Sequence, residues 1–95
     1  MAASDQRGKR SLSESTKKLI AGRQSYRCAN APGSNVIPGY QCDRWINDIG
    51  CFNESGYDID HIVEVADGGG NGIENLQALC PSCHRVKTKA SSRER

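Results

Sequence analysis

YDIDHIVEV (57–65), ADGGGNG (66–72) and IENLQALCPSCHRVK (73–87) follow one another without a break, and they hold both histidines, His61 and His84, and two of the five cysteines. In the first segment Ile59, Ile62, Val63 and Val65 mix with Asp58, Asp60, His61 and Glu64, and β-branched residues dominate. That pattern predicts a strand over Tyr57–Val65. Gly68, Gly69, Gly70, Asn71 and Gly72 predict a turn that accepts positive φ at several positions. A second strand is expected near Leu76–Leu79, and a helix is expected to begin near His84. Between them Cys80-Pro81-Ser82-Cys83 forms a knuckle of the kind that turns two thiolates toward one metal. The stretch therefore reads strand, turn, strand, helix, with Asp60, His61 and His84 brought to one end.

Asp60-His61-Ile62, the glycine turn, Asn75-Leu76-Gln77, Leu79-Cys80, Cys83-His84 and Lys87 resemble the motif of HNH endonucleases. The spacings agree, with Asn75 fourteen residues after His61 and His84 nine after Asn75. Most of residues 25–90 resemble that family more loosely, and Cys28-Ala-Asn-Ala-Pro-Gly-Ser-Asn35, Tyr40-Gln41-Cys42 and Gly56-Tyr57-Asp58-Ile59-Asp60-His61 are similar to small HNH proteins of large DNA viruses. The resemblance implies a small α+β fold: a ββα-metal (His-Me finger) core stapled by a structural four-cysteine zinc site, with an N-terminal helix beside it.

With 95 residues, one Trp, one Phe and one Met, the chain is a single small domain with a thin core. Chains of this size bury only about 60–65% of their unfolded surface, so a metal or disulfide staple is expected. An odd number of cysteines, the knuckle and the lack of an apolar segment after Met1 favour thiolates on zinc in a reducing compartment. An intracellular protein of cytoplasm or nucleus is expected, with no membrane partner; a viral or phage origin fits the resemblance. The net charge of +2 is uneven. Residues 1–27 balance at +5, residues 28–84 at −7 and residues 85–95 at +4. Basic ends about an acidic middle suit a protein that holds polyphosphate around a divalent cation, although solvated tails give the same pattern.

Residues 1–10 are small, polar and basic and are expected to be a disordered tail. Residues 11–90 form the expected nuclease domain, and residues 91–95 a fraying basic tail. Ser11 and Glu14 have capping-box spacing and open a helix running to about Ala21, with Gly22 ending it. Such a helix can dock on the ββα unit, contact DNA, or do both. Asn30–Tyr40 is a turn-rich insertion. The first zinc half-site departs from Cys-x-x-Cys: Cys28 has Ala31 where a partner is expected, and Cys42 and Cys51 compete for the place. The viral resemblance favours Cys42, giving Cys28, Cys42, Cys80 and Cys83 as zinc ligands, with Cys51 a small buried apolar residue. Trp45, Ile46, Ile49 and Phe52 are expected to pack across the zinc site onto the strands, and 50–56 to be loop.

The resemblance also implies the chemistry. Asp60 and His84 hold a catalytic Mg²⁺ or Mn²⁺. Position 88, where many members carry a third ligand, is Thr88, so two ligands are expected. His61 on a strand edge is the general base of phosphodiester hydrolysis. Asn75 bridges the turn and holds His61 in orientation, and Arg85, Lys87 and Lys89 on the exposed helix face grip phosphate. Asp58 braces His61 or Arg85, or is a solvated acid. The partner is then DNA, double-stranded or branched. One site in a monomer implies nicking, and a dimer would be needed to cut both strands. The rival reading is a non-catalytic zinc-knuckle nucleic-acid-binding module.

Overall fold

A computed structural model describes residues 12–94. The expected tail over 1–10, the expected cap at Ser11 and the final Arg95 lie outside the described residues. Five elements follow in order: α1 (Glu14–Gly22), α2 (Asp43–Asp48), β1 (Asp58–His61), β2 (Leu76–Leu79) and α3 (Pro81–Glu94). No described helix is long and apolar enough to cross a membrane.

The strands pair antiparallel, with Asp58 opposite Leu79, Ile59 opposite Ala78, Asp60 opposite Gln77 and His61 opposite Leu76. Strand alternation therefore places Asp58, Asp60, Gln77 and Leu79 on one face, and Ile59, His61, Leu76 and Ala78 on the other. β1 is shorter than the expected strand, which ran on to Val65. After His61 the chain turns away, and Val65–Asp67 forms a 3-10 turn instead. Val63 leaves the ladder because its N–H and C=O both bond the side chain of Asn75 rather than a neighbouring strand.

α1 packs Ile20 and Ala21 against Ile59, Leu76 and Ala78. Ser13 caps it by accepting a bond from the Thr16 N–H, so among the described residues the cap falls two residues later than the expected Ser11. The residues just past α1 close the open edge of β2. Gln24 donates to Ala78 O (3.0 Å) and accepts from Ala78 N–H (2.9 Å). Arg23 donates to the carbonyls of Ile73 and Leu76. An unpaired strand edge would otherwise stand open to other chains, so this helix docks on the sheet.

The sheet's opposite face meets the cysteines. Leu79, Ile37 and four buried cysteines form the second core cluster, with Trp45, Phe52, Tyr40 and Val86 packed against it. Trp45 sits on α2, an element the sequence pattern did not predict, and its indole N–H donates to Cys28 O at 2.8 Å. Gly50 closes under the ring, where a Cβ would stand 2.3 Å from Trp45 Cε2. Ile46 and Ile49, expected in this packing, are exposed instead. Six residues give α2 less than two turns, so only the face bearing Trp45 reaches the cluster.

α3 begins at Pro81, three residues before the expected start, and continues through Glu94 where fraying was expected from 91. Pro at the first helical position has φ preset for the helix and an N–H no helical bond would use. The knuckle thus winds into the first turn, placing Cys83 and His84 on the helix itself.

Candidate active site

Cys28, Cys42, Cys80 and Cys83 are all buried, and their sulfurs lie within 4.8 Å of one another. Cys42 Sγ and Cys80 Sγ are 3.8 Å apart. A tetrahedron of thiolates about 2.3 Å from zinc has edges of about 3.8 Å, so the cluster could hold such an ion. All five cysteines are free thiols, and Cys51, expected to be buried, is exposed and outside the cluster. N–H groups point at the sulfurs, among them Cys80 N–H to Cys28 Sγ at 3.3 Å and the Asn30 side-chain amide to Cys83 Sγ at 3.5 Å. The Cys83 thiol donating to Cys28, aided by the backbone N–H groups of Cys80 and Asn30 and opposed by burial, lowers Cys28 to about 5. Burial pushes Cys80 up to about 11, and donation to Cys28 raises Cys83. A metal held by these four sulfurs would have to displace the thiol protons, so its affinity would rise with pH.

The second centre lies where the first turns of α3 cross β1. His84 Nδ1 lies 3.1 Å from Asp58 Oδ2, while His84 Nε2 faces Asp60 Oδ1 at 3.9 Å. The first is a hydrogen bond and the second is too long for one. The Asp58 carboxylate can only accept, so Nδ1 carries a hydrogen, and in the neutral ring the Nε2 lone pair would face Asp60. Asp60 is likewise held from behind. Its Oδ2 accepts from Gln77 Nε2 at 3.1 Å and from Lys87 Nζ at 3.0 Å, which turns Oδ1 toward His84. One imidazole nitrogen and one carboxylate oxygen thus converge with their partners fixed behind them, an arrangement suited to a divalent cation. Asp58 braces His84 rather than His61 or Arg85, and Thr88 is exposed.

His61 follows Asp60 but points to the opposite face, and it is buried at 6% exposure rather than lying on an exposed edge. The strand edge is covered there by the glycine loop. His61 Nε2 lies 2.9 Å from Asn71 Oδ1. Asn75, expected to touch both turn and His61, spans the loop instead: its amide donates to Val63 O (3.0 Å) and Gly70 O (2.9 Å) and accepts from Val63 N–H (2.9 Å). Gly69 is required inside this clamp, since a Cβ there would fall 1.9 Å from Val63 O. Lys87, expected on the exposed face, turns inward and also bonds Glu64 Oε2 at 2.8 Å and His61 O at 3.2 Å. Asp60, 6% exposed, draws it in, because a buried carboxylate needs a counter-charge. Arg85 and Lys89 remain exposed.

Sequence reasoning passed over three contributors. Gln77 could have been found as the residue opposite Asp60 once the hairpin register was drawn. Glu64 and Asn71 carried no signal beyond strand and turn composition, since their contacts depend on the path of the loop.

These features define a ββα unit whose hairpin and helix share one edge with a four-cysteine cluster. A family model described as HNH endonuclease matches residues 42–90, just over half of the chain. The chain belongs to the HNH endonuclease family. Cys28 lies outside the matched range, so one member of the cluster comes from the segment that precedes it. Among curated proteins, the chain is similar to the DNA annealing helicase and endonuclease ZRANB3 of Bos taurus, 45% identical over 40 residues. The proteins of that name from Mus musculus and Homo sapiens are each 42% identical over 40 residues. Each match covers 41% of this chain, and the chain spans about 4% of the length of these relatives. No solved structure matches significantly.

Proposed function

We propose that this chain is a metal-dependent endonuclease that hydrolyses DNA phosphodiester bonds and nicks one strand at each engagement. The observation that carries the reading is the pair of candidate ligand atoms, Asp60 Oδ1 and His84 Nε2, facing each other at 3.9 Å, with His61 next to Asp60 on β1 but on its other face. Family membership and the likeness to proteins named as DNA-acting endonucleases support the substrate class.

Asp60 and His84 hold the catalytic Mg²⁺ or Mn²⁺, and Cys28, Cys42, Cys80 and Cys83 hold a structural Zn²⁺. When bound at Asp60 and His84, a divalent cation supplies charge neutralisation to the phosphate and to the leaving oxygen. His61 accepts the proton of a water whose oxygen attacks phosphorus opposite the 3′ oxygen. The new P–O bond forms as the P–O3′ bond breaks, and solvent returns a proton to the 3′ oxygen. Arg85 and Lys89 contact backbone phosphates on the exposed side of α3. Lys87 acts from inside, orienting Asp60. Asn75 fixes the loop over His61.

The four-cysteine cluster and the basic chain ends fit a non-catalytic nucleic-acid-binding module equally well. Incubating zinc-loaded protein with supercoiled plasmid and Mg²⁺ or Mn²⁺ separates the two. The expected result is conversion to open circles before any linear product appears, abolished by EDTA. Plasmid that is bound and shifted but stays supercoiled across both metals contradicts the nuclease reading.

A further inference from the structure

We propose that Asn71 is the positioning residue for His61, holding its ring in the one tautomer that leaves a lone pair for the attacking water. The proposal rests on the nuclease reading above for its consequence, although the contact itself does not. His61 is 6% exposed, so a buried ring nitrogen there needs a protein partner. Within hydrogen-bond reach of Nε2 stands Asn71 Oδ1, at 2.9 Å. An amide oxygen only accepts, so Nε2 carries the hydrogen and Nδ1 keeps its lone pair. Imidazole in the other tautomer would present an N–H to the water it has to deprotonate.

Asn71 is well placed for this role because the residue before it is fixed. Asn75 donates to Gly70 O and joins both backbone groups of Val63, while Ile62 N–H donates to Asn75 O at 2.7 Å. Gly69 allows the two sides of the loop to approach closely enough for that clamp. Asn75 therefore acts on His61 at one remove: it closes the loop, and the closed loop delivers Asn71. A side chain at the tip of a glycine-rich turn would otherwise sample many positions.

The test compares Asn71→Ala and Asn71→Asp with the wild type, all zinc-loaded. Asp keeps an oxygen acceptor at the same reach, and Ala has none. Long-range ¹H–¹⁵N correlation spectra of the His61 ring, taken where the ring is neutral, read the tautomer without any need for cleavage. Wild type and N71D are expected to show the Nε2–H pattern alone, and N71A a mixture of the two tautomers. In plasmid nicking, N71A is expected to lose about 10–100-fold in kcat, the usual cost of removing such a supporting partner, with KM and zinc content unchanged. N71D is expected to recover most of that loss. A single Nε2–H pattern in N71A, wild-type or faster turnover in N71A, or turnover in N71D as slow as in N71A would each overturn the proposal. If the wild type itself cleaves nothing, the nuclease reading falls, and the tautomer spectra still decide whether Asn71 holds His61.

Discussion

Lys87 lies three positions after His84, so both side chains leave α3 on the side that faces β1. Burial works to lower the pKa of its ammonium, but the bonds to Glu64 and Asp60 outweigh that and hold it above the ordinary lysine value. A raised value in the folded state means that this contribution is present throughout neutral pH and is lost only as pH climbs through the folded value, above the ordinary lysine range. Replacing Lys87 by Met keeps the stem but leaves Asp60 as a buried carboxylate without its cation. Urea denaturation of Lys87→Met should show a loss of about 3–5 kcal/mol, the usual consequence of breaking a buried pair from one side. Lys89→Met, on the exposed face, should change stability by no more than about 0.5 kcal/mol. Equal losses in the two variants would contradict the inward placement of Lys87. The sequence made the reactive types legible at this scale, because Asp60, His61 and His84 stand at motif spacing. It left the supporting contacts unreadable. Spacing along a helix says which residues share a face, and nothing says which of them a buried carboxylate will claim.

The elements nearest the site differ in how far they could be read. β2 coincides with its expected span, since Leu76–Leu79 is bounded by Asn75 on one side and by Cys80-Pro81 on the other. β1 stops four residues short because hydrophobic alternation continues through Ile62, Val63 and Val65, all of them exposed. There, bonds from Asn75 take the place of a partner strand. α2 left no periodic signal in six residues, and it forms because Trp45 is held over the cysteine cluster. The pairing of Cys42 rather than Cys51 with Cys28 depends on that short helix: Cys42 precedes it and faces the cluster, whereas Cys51 follows it and faces solvent. If the cluster holds zinc as proposed, Cys42→Ser should lower zinc content well below one ion per chain and broaden or abolish the unfolding transition, because the ion would then stand in for core. Cys51→Ser should keep both zinc content and thermal midpoint. Metal analysis together with a melting curve checks both, and retention of zinc in Cys42→Ser would contradict the assignment.

At the scale of the whole molecule, the described residues are built around two small apolar groups on opposite faces of one hairpin. Of the buried apolar residues, four are the clustered cysteines, so an ion held there would support the side of the sheet from which α3 presents His84. On the other side α1 covers Ile59 and Leu76, flanking the position of His61. Asp60 and His61 therefore lie on opposite faces of β1, with Asp60 toward α3 and His61 toward the glycine loop. On the proposed nuclease reading, that division gives metal binding and proton transfer separate surroundings, and separate signatures when each is removed. The direct measurement is single-turnover nicking of supercoiled plasmid across a Mn²⁺ titration for wild type, His61→Ala, Asp60→Asn and His84→Ala, each confirmed to hold zinc. His61→Ala should fall by about 10²–10⁴-fold at every metal concentration, the usual worth of a positioned base. Asp60→Asn and His84→Ala should fall at low Mn²⁺ and recover in part at high Mn²⁺. A zinc-loaded His61→Ala protein that nicks at the wild-type rate would contradict the account.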